Sequence, residues 1–216
     1  MAIRSDSQPV PLRFRVPKPP RPFVGREGEL ARLSTLLDTG NAVIVCGRAG
    51  MGKSSLVRAF GHREEGSAGR TIFVSISAAT DAALAFATIA RAVASASAAA
   101  SVSIASDADE DLLLESTLEI AERAGYCVVI DNLDLLGDAG ETWMLAALRH
   151  AERSQWIGTS KIAPRNEDLQ KQTLRLEALG IDSMRELGRV QLTGKDERDI
   201  DALVERAGGA PGELFR

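Results

Sequence analysis

The sequence predicts an α/β fold, a parallel five-stranded sheet sandwiched by helices. Three observations carry this reading. Short apolar runs of strand type alternate with longer segments whose apolar residues recur at helical spacing, the order that builds parallel sheets. A glycine-rich turn joins the first of these runs to the helix after it. A later run ends in a carboxylate, at the edge where parallel sheets bind ligands.

The elements follow in chain order. Residues 1–22 hold six of the eight prolines (Pro9, Pro11, Pro17, Pro19, Pro20 and Pro22) and the cations Arg4, Arg13, Arg15, Lys18 and Arg21. This composition reads as an extended, disordered basic arm, either a solvated leader or a partner-binding segment. Over 27–38, Leu30, Leu33, Leu36 and Leu37 keep helical spacing, and Gly40 can end that helix. Ala42-Val43-Ile44-Val45-Cys46 is the first strand, and the helix beyond the glycine-rich turn runs to about residue 63. A Gly-Ser turn leads to a strand at 71–76. Alanine content with Leu84, Phe86, Ile89 and Val93 predicts a helix over 81–94. The low-complexity run 94–106 is expected to be a frayed helix end or a mobile loop. A helix at 109–123 precedes Gly125, and Tyr126-Cys127-Val128-Val129-Ile130-Asp131 is a buried strand. A helix near 141–153, a strand at 155–159 and a weaker strand at 173–176 follow. The remainder is helical: Thr193 with Asp196 resembles a capping box for a helix to about Ala207, Gly208-Gly209 stops it, and Pro211 is placed to open one more.

At 216 residues, 44% hydrophobic and 26% charged, the chain has the bulk of a globular protein with one main domain and a small appendage. The division expected is an arm at 1–22, a nucleotide-binding domain at 23–176 and a helical lid segment at 177–216. A net charge of −4, without a basic face, argues against nucleic acid as the main partner. Cys46 and Cys127 fall in predicted strands and read as buried free thiols, which fits a reducing cytoplasm. The polar N-terminus lacks a signal-peptide pattern, and no apolar run reaches membrane-spanning length.

Gly47-Arg48-Ala49-Gly50-Met51-Gly52-Lys53-Ser54 fits the phosphate-binding pattern G-x-x-x-x-G-K-[ST] at every fixed position, with a strand before it and a helix, opening on Ser55-Leu56, after it. Glycines let the backbone curl so that successive N–H groups face phosphate oxygens, and the helix N-terminus adds unpaired donors. Lys53 supplies a cation for the β- and γ-phosphates, and Ser54 a hydroxyl for Mg²⁺. Asp131 is the second Mg²⁺-side residue, because a hard dication takes one or two carboxylates plus phosphate and water. Asp134 reads either as the group that orients attacking water, or acts as general base, or as a turn acid. Thr159, with Ser160 and Lys161, ends the next strand, as a contact to the γ-phosphate or attacking water or as turn chemistry. Asp134-Leu135-Leu136-Gly137 matches DxxG, but the sequence holds no NKxD to read a guanine edge, so GTP is disfavoured.

Taken together these motifs resemble the STAND-class P-loop NTPases, which include NB-ARC and bacterial NLR-like proteins and are related to AAA+ ATPases. Phe23-Val24-Gly25-Arg26-Glu27 is similar to that family's FVGRE segment, 47–54 to its Walker A element, 128–134 to its Walker B form, Thr159-Ser160-Lys161 to sensor 1, and Gly209-Ala210-Pro211 to its GxP motif. The resemblance implies an AAA+-like core with a helical lid and ATP or ADP between them with Mg²⁺. It implies a switch in which nucleotide state controls an oligomerisation surface, with a homo-oligomer expected in the ATP state. By carry-over Val24, Gly25 and Pro211 flank adenine, Arg26 approaches the phosphates, and the loop from Ala49 to Ser55 holds them. Leu135 stands where the family has a second acid, Asn132 where AAA+ proteins place a catalytic Glu, and Lys161 where relatives carry Arg. Fast turnover is therefore not expected. Relatives continue into further domains beyond the GxP motif, so either an excised module of a longer protein or a minimal natural form is expected. The alternatives are an AAA+ ATPase of the origin-recognition or DNA-loading type, and a non-hydrolysing, nucleotide-stabilised scaffold.

Overall fold

Five strands align in the order β2-β3-β4-β1-β5, every neighbouring pair parallel. They are β1 (Ala42–Cys46), β2 (Thr71–Ser75), β3 (Cys127–Asp131), β4 (Gln155–Ser160) and β5 (Thr173–Arg175). The structure is a computed structural model that describes residues 14–64, 70–78, 81–97 and 109–214. The helices are α1 (Glu27–Gly40), α2 (Lys53–Glu64), α3 (Ala82–Ala96), α4 (Glu110–Ala124), α5 (Gly137–His150), α6 (Glu167–Lys171), α7 (Ile181–Gln191) and α8 (Glu197–Ala207).

The middles of the strands are largely apolar because both sheet faces are covered. Successive side chains point to opposite faces, so each strand feeds two cores. Ala42, Ile44, Ile72, Val74, Val128, Ile130 and Trp156 join α3, α4 and α5 on one side. Val43, Val45, Phe73, Val129, Ile157 and Leu174 join α1 and α2 on the other. On the first side Trp143 stacks on Phe86 with ring centroids 4.7 Å apart, both buried. A third cluster, Leu179, Met184, Leu187, Ile200, Val204, Ala207 and Leu214, closes α7 against α8. Arg189 adds a bidentate pair to Glu197 at 2.9 and 3.0 Å.

Several boundaries differ from the sequence expectation, each for a local reason. The helix expected near 141–153 begins at Gly137 and ends at His150, because a 3-10 turn at Leu133–Leu136 leads straight into it. The cap of α8 is Asp196 rather than Thr193: the Asp196 carboxylate accepts the Asp199 N–H at 2.8 Å. Pro211 opens a 3-10 turn, Pro211–Glu213. Short α6, unexpected from sequence, is capped by Asn166, which accepts from the Asp168 and Leu169 N–H groups. The expected turn after residue 64 and most of the run 94–106 lie outside the described residues, although α3 reaches Ala96. The first part of the expected arm also lies outside them. From Phe14 on, the segment contributes core: Phe14 is buried under one face of the sheet and Val16 under the other. Val16 reaches its place because Gly61 of α2 has no side chain; a Cβ there would lie 2.9 Å from Val16 Cγ2. Cys46 and Cys127 are buried and form no disulfide. Among the described residues no helix is long and apolar enough to cross a membrane.

Candidate functional site

The strand order sets the site. With β4 lying between β1 and β3, the carboxyl ends of three central strands present the Gly47 turn, Thr159-Ser160 and Asp131 side by side. The turn curls back at Gly50 (φ +80°) and Gly52 (φ +89°), backbone angles that favour glycine, and Lys53 then opens α2. Lys53 is 8% exposed, and its ammonium donates to the carbonyls of Gly47 at 2.6 Å and Arg48 at 2.9 Å. Burial lowers its pKa from the ordinary lysine range, and the nearby Asp134 carboxylate opposes that shift. A buried cation held chiefly by neutral carbonyls is suited to an anion.

Asp131 is buried at the end of β3 and accepts two hydroxyl donors at one oxygen. Ser54 Oγ donates to Oδ1 at 2.8 Å and Thr159 Oγ1 donates to it at 2.7 Å. Thr159 Oγ1 in turn accepts the Asn132 N–H at 2.9 Å. The chain from α2 through β3 to β4 thus locks together the three segments that sequence reading singled out separately. Asn132 sits at φ 66°, a left-handed angle that Asn tolerates better than most residues, and its amide donates to the Ile76 carbonyl at 3.1 Å.

A cleft of about 490 Å³ opens over this chain, lined by Ala49, Gly50, Gly52, Lys53, Ser54, Ser55, Asn132, Lys161 and Pro211. Pro20, Pro22, Leu187, Gln191 and Gly212 complete its wall. Sequence reading missed these five. The two prolines belong to a segment read as an arm, and Leu187 and Gln191 reach the cleft only through the fold. The C-terminal turn rests directly on the phosphate loop: the Gly212 N–H donates to the Gly50 carbonyl at 2.8 Å. Gly209, φ +76°, lets the chain pass Ala178, where a Cβ would approach within 2.6 Å, and the Leu179 N–H donates to the Gly209 carbonyl at 2.7 Å.

The remaining expected residues lie around the cleft rather than in its wall. Val24 packs against the α7–α8 cluster. Gly25, φ +69°, passes beneath Ser183 and Leu179, where a Cβ would collide. Met51 is buried in the core under α1 and α2. Arg26, 5% exposed, donates to the carbonyls of Met51 at 3.2 Å and Glu177 at 2.8 Å, and pairs with Glu29. Asp134 faces a separate cavity of about 120 Å³ that includes Asp138, Glu141 and Pro164. Its carboxylate accepts the Lys161 N–H at 3.2 Å and lies 3.9 Å from that residue's ammonium.

A family model described as the AAA ATPase domain matches residues 22–157, more than half of the chain. The chain belongs to that family. None of the curated proteins matches it. Among solved structures, this AAA ATPase domain is similar to the ORC1 protein of Aeropyrum pernix in complex with DNA (TM-score 0.66, 18% identity, covering 90% of this chain and 59% of that one). It is similar to a Walker-type ATPase of Pyrococcus abyssi (TM-score 0.62, 17% identity, 92% and 67%). It also resembles a STAND protein with a tetratricopeptide repeat sensor from Pyrococcus horikoshii (TM-score 0.60, 17% identity, 93% and 30%). At these identities the likeness concerns the fold, and the chain spans 59% of the first of these proteins and 30% of the third. The family match ends before Thr159, so the AAA ATPase assignment rests on the phosphate loop, the Asp131 strand and the sheet between them.

Proposed function

We propose that the chain is the nucleotide-binding switch module of a STAND-type NTPase, holding ATP or ADP with Mg²⁺ in the cleft and hydrolysing ATP slowly. The observation that carries this reading is the bond between Gly212 and Gly50, which joins the C-terminal turn to the loop that would hold phosphate. A ligand that fills the loop cannot be neutral toward the residues resting on it, so α7 and α8 serve as a lid that senses the nucleotide.

The residues fit the ligand. Gly50, Gly52 and the N-terminus of α2 offer amides, and Lys53 offers a buried ammonium. Ser54 and Asp131 converge from two elements as hard oxygen donors, the set Mg²⁺ takes beside phosphate and water. Among the described residues no cluster of three or more His, Cys, Asp or Glu side chains offers a metal an alternative. The cation would neutralise phosphate charge. Thr159 holds Asp131 in place for it. Pro211, with Pro20, Pro22 and Leu187, gives the base an apolar wall. The cleft-lining residue after Asp131 is Asn132, which carries no carboxylate to take a proton from water. Asp134 is held by the Lys161 backbone on the side of the other cavity, where it orients Lys161. Both features support slow turnover.

Nucleotide exchange, turnover and oligomeric state measured on one preparation test the proposal. Retained ADP, slow hydrolysis and assembly on exchange to ATP are expected. Rapid turnover without a change of assembly state would contradict the switch. An ATPase of the origin-recognition type predicts tight, salt-sensitive DNA binding instead, and a gel shift at low salt separates the two.

A further inference from the structure

Arg26 precedes α1 and lies beneath the phosphate loop. The residue is 5% exposed, and its two carbonyl partners come from distant parts of the chain: Met51 in the loop and Glu177 between β5 and α7. Neither Arg26 nor Met51 lines the cleft, whereas Gly52 does. The Met51 carbonyl therefore points out of the loop toward Arg26. The peptide joining Met51 to Gly52 is trans. In a planar trans unit the C=O and N–H point in opposite directions. Fixing the Met51 carbonyl on Arg26 thus turns the Gly52 N–H away from Arg26, to the side where the cleft lies. Gly52, at φ +89° with nothing near its missing Cβ, is free to flip this unit if the anchor is lost.

We propose that Arg26 is a positioning residue: by holding the Met51 and Glu177 carbonyls with one guanidinium, it presents the Gly52 N–H to phosphate and ties that setting to the base of the α7–α8 segment. The inference rests on the nucleotide reading above and adds the group that orients the loop. Arg26 itself does not touch the nucleotide. Nη2 of the fork donates to both carbonyls while Nη1 holds the Glu29 carboxylate, a planar arrangement that the compact, rotating ammonium of Lys does not reproduce.

The test compares ADP with adenosine on the full chain by titration calorimetry, in wild type, Arg26→Lys and Arg26→Gln. A misaimed Gly52 N–H penalises only the ligand that carries phosphate. Both variants are expected to weaken ADP by about tenfold while adenosine stays within about twofold of wild type. Equal losses for both ligands, or no loss for ADP, would overturn the proposal. If wild type itself fails to bind ADP, the nucleotide reading falls and this inference falls with it, a result seen without any variant. If the variants do not fold, or adenosine binds too weakly to titrate, a crystal structure of wild type with Mg-ADP decides. The Gly52 N–H on a phosphate oxygen with Met51 still on Arg26 supports the role. A flipped 51–52 peptide, or Arg26 released from Met51, overturns it.

Discussion

Gly212 and Gly50 lie in backbone contact: the N–H of one donates to the carbonyl of the other at 2.8 Å, and a Cβ on Gly212 would meet Gly50 Cα at 2.8 Å. The C-terminal turn can sit this close to the phosphate loop because Gly212 lacks a side chain. Gly212→Val is therefore expected to lift the turn off the loop. With a fluorescent ADP analogue, release should quicken by roughly tenfold, about 1.4 kcal/mol of lost closure. Unchanged release would mean that this contact does not restrain the nucleotide.

Thr159 holds both Asp131 and the Asn132 N–H while fully buried. Thr159→Val keeps the shape but removes the hydroxyl, leaving a buried N–H without its acceptor. A loss of about 2 kcal/mol is expected, read as a fall in Tm of roughly 4–8 °C. Thr159→Ser keeps the hydroxyl and should recover most of that loss. A larger loss from Thr159→Ser than from Thr159→Val would show that the methyl group, not the hydrogen-bond chain, matters.

Asn132 occupies the cleft wall at a left-handed backbone angle. Asn132→Glu places a carboxylate beside the phosphate loop, and kcat for ATP is expected to rise at least about tenfold, part of the ~10²–10⁴-fold that a well-positioned base contributes. The same change abandons the bond to the Ile76 carbonyl and a residue suited to this angle, so stability should fall by about 1 kcal/mol. A variant that is less stable and no faster would show that slow turnover has another cause.

Much of this was legible in the sequence. The central strands read clearly because a sheet buried on both faces favours apolar residues at successive positions, as Val43, Ile44 and Val45 show, whereas the short edge strand at 173–175 carried a weaker signal. The phosphate loop and Asp131 read clearly because their chemistry fixes residue types at fixed spacing. Contacts between distant segments were not legible. Pro20, Pro22, Leu187 and Gln191 meet at one cleft only after folding. Phe14 and Val16 carried too little pattern to reveal that they dock. Arg26 was read through resemblance as a phosphate neighbour; its bonds to two backbone carbonyls were not legible, because they leave no mark on the identities of Met51 and Glu177. The start of α5 at Gly137 was hidden because a 3-10 turn, not a capping side chain, leads into it.

The most direct test of the account is titration of ADP into the chain with Mg²⁺, with chelator in its place, and with Lys53→Ala. The account predicts saturable binding to wild type that weakens on chelation and is lost in Lys53→Ala, a variant that still folds. A wild-type chain that takes up no ADP at millimolar concentration, or a Lys53→Ala chain that binds as tightly as wild type, would contradict it.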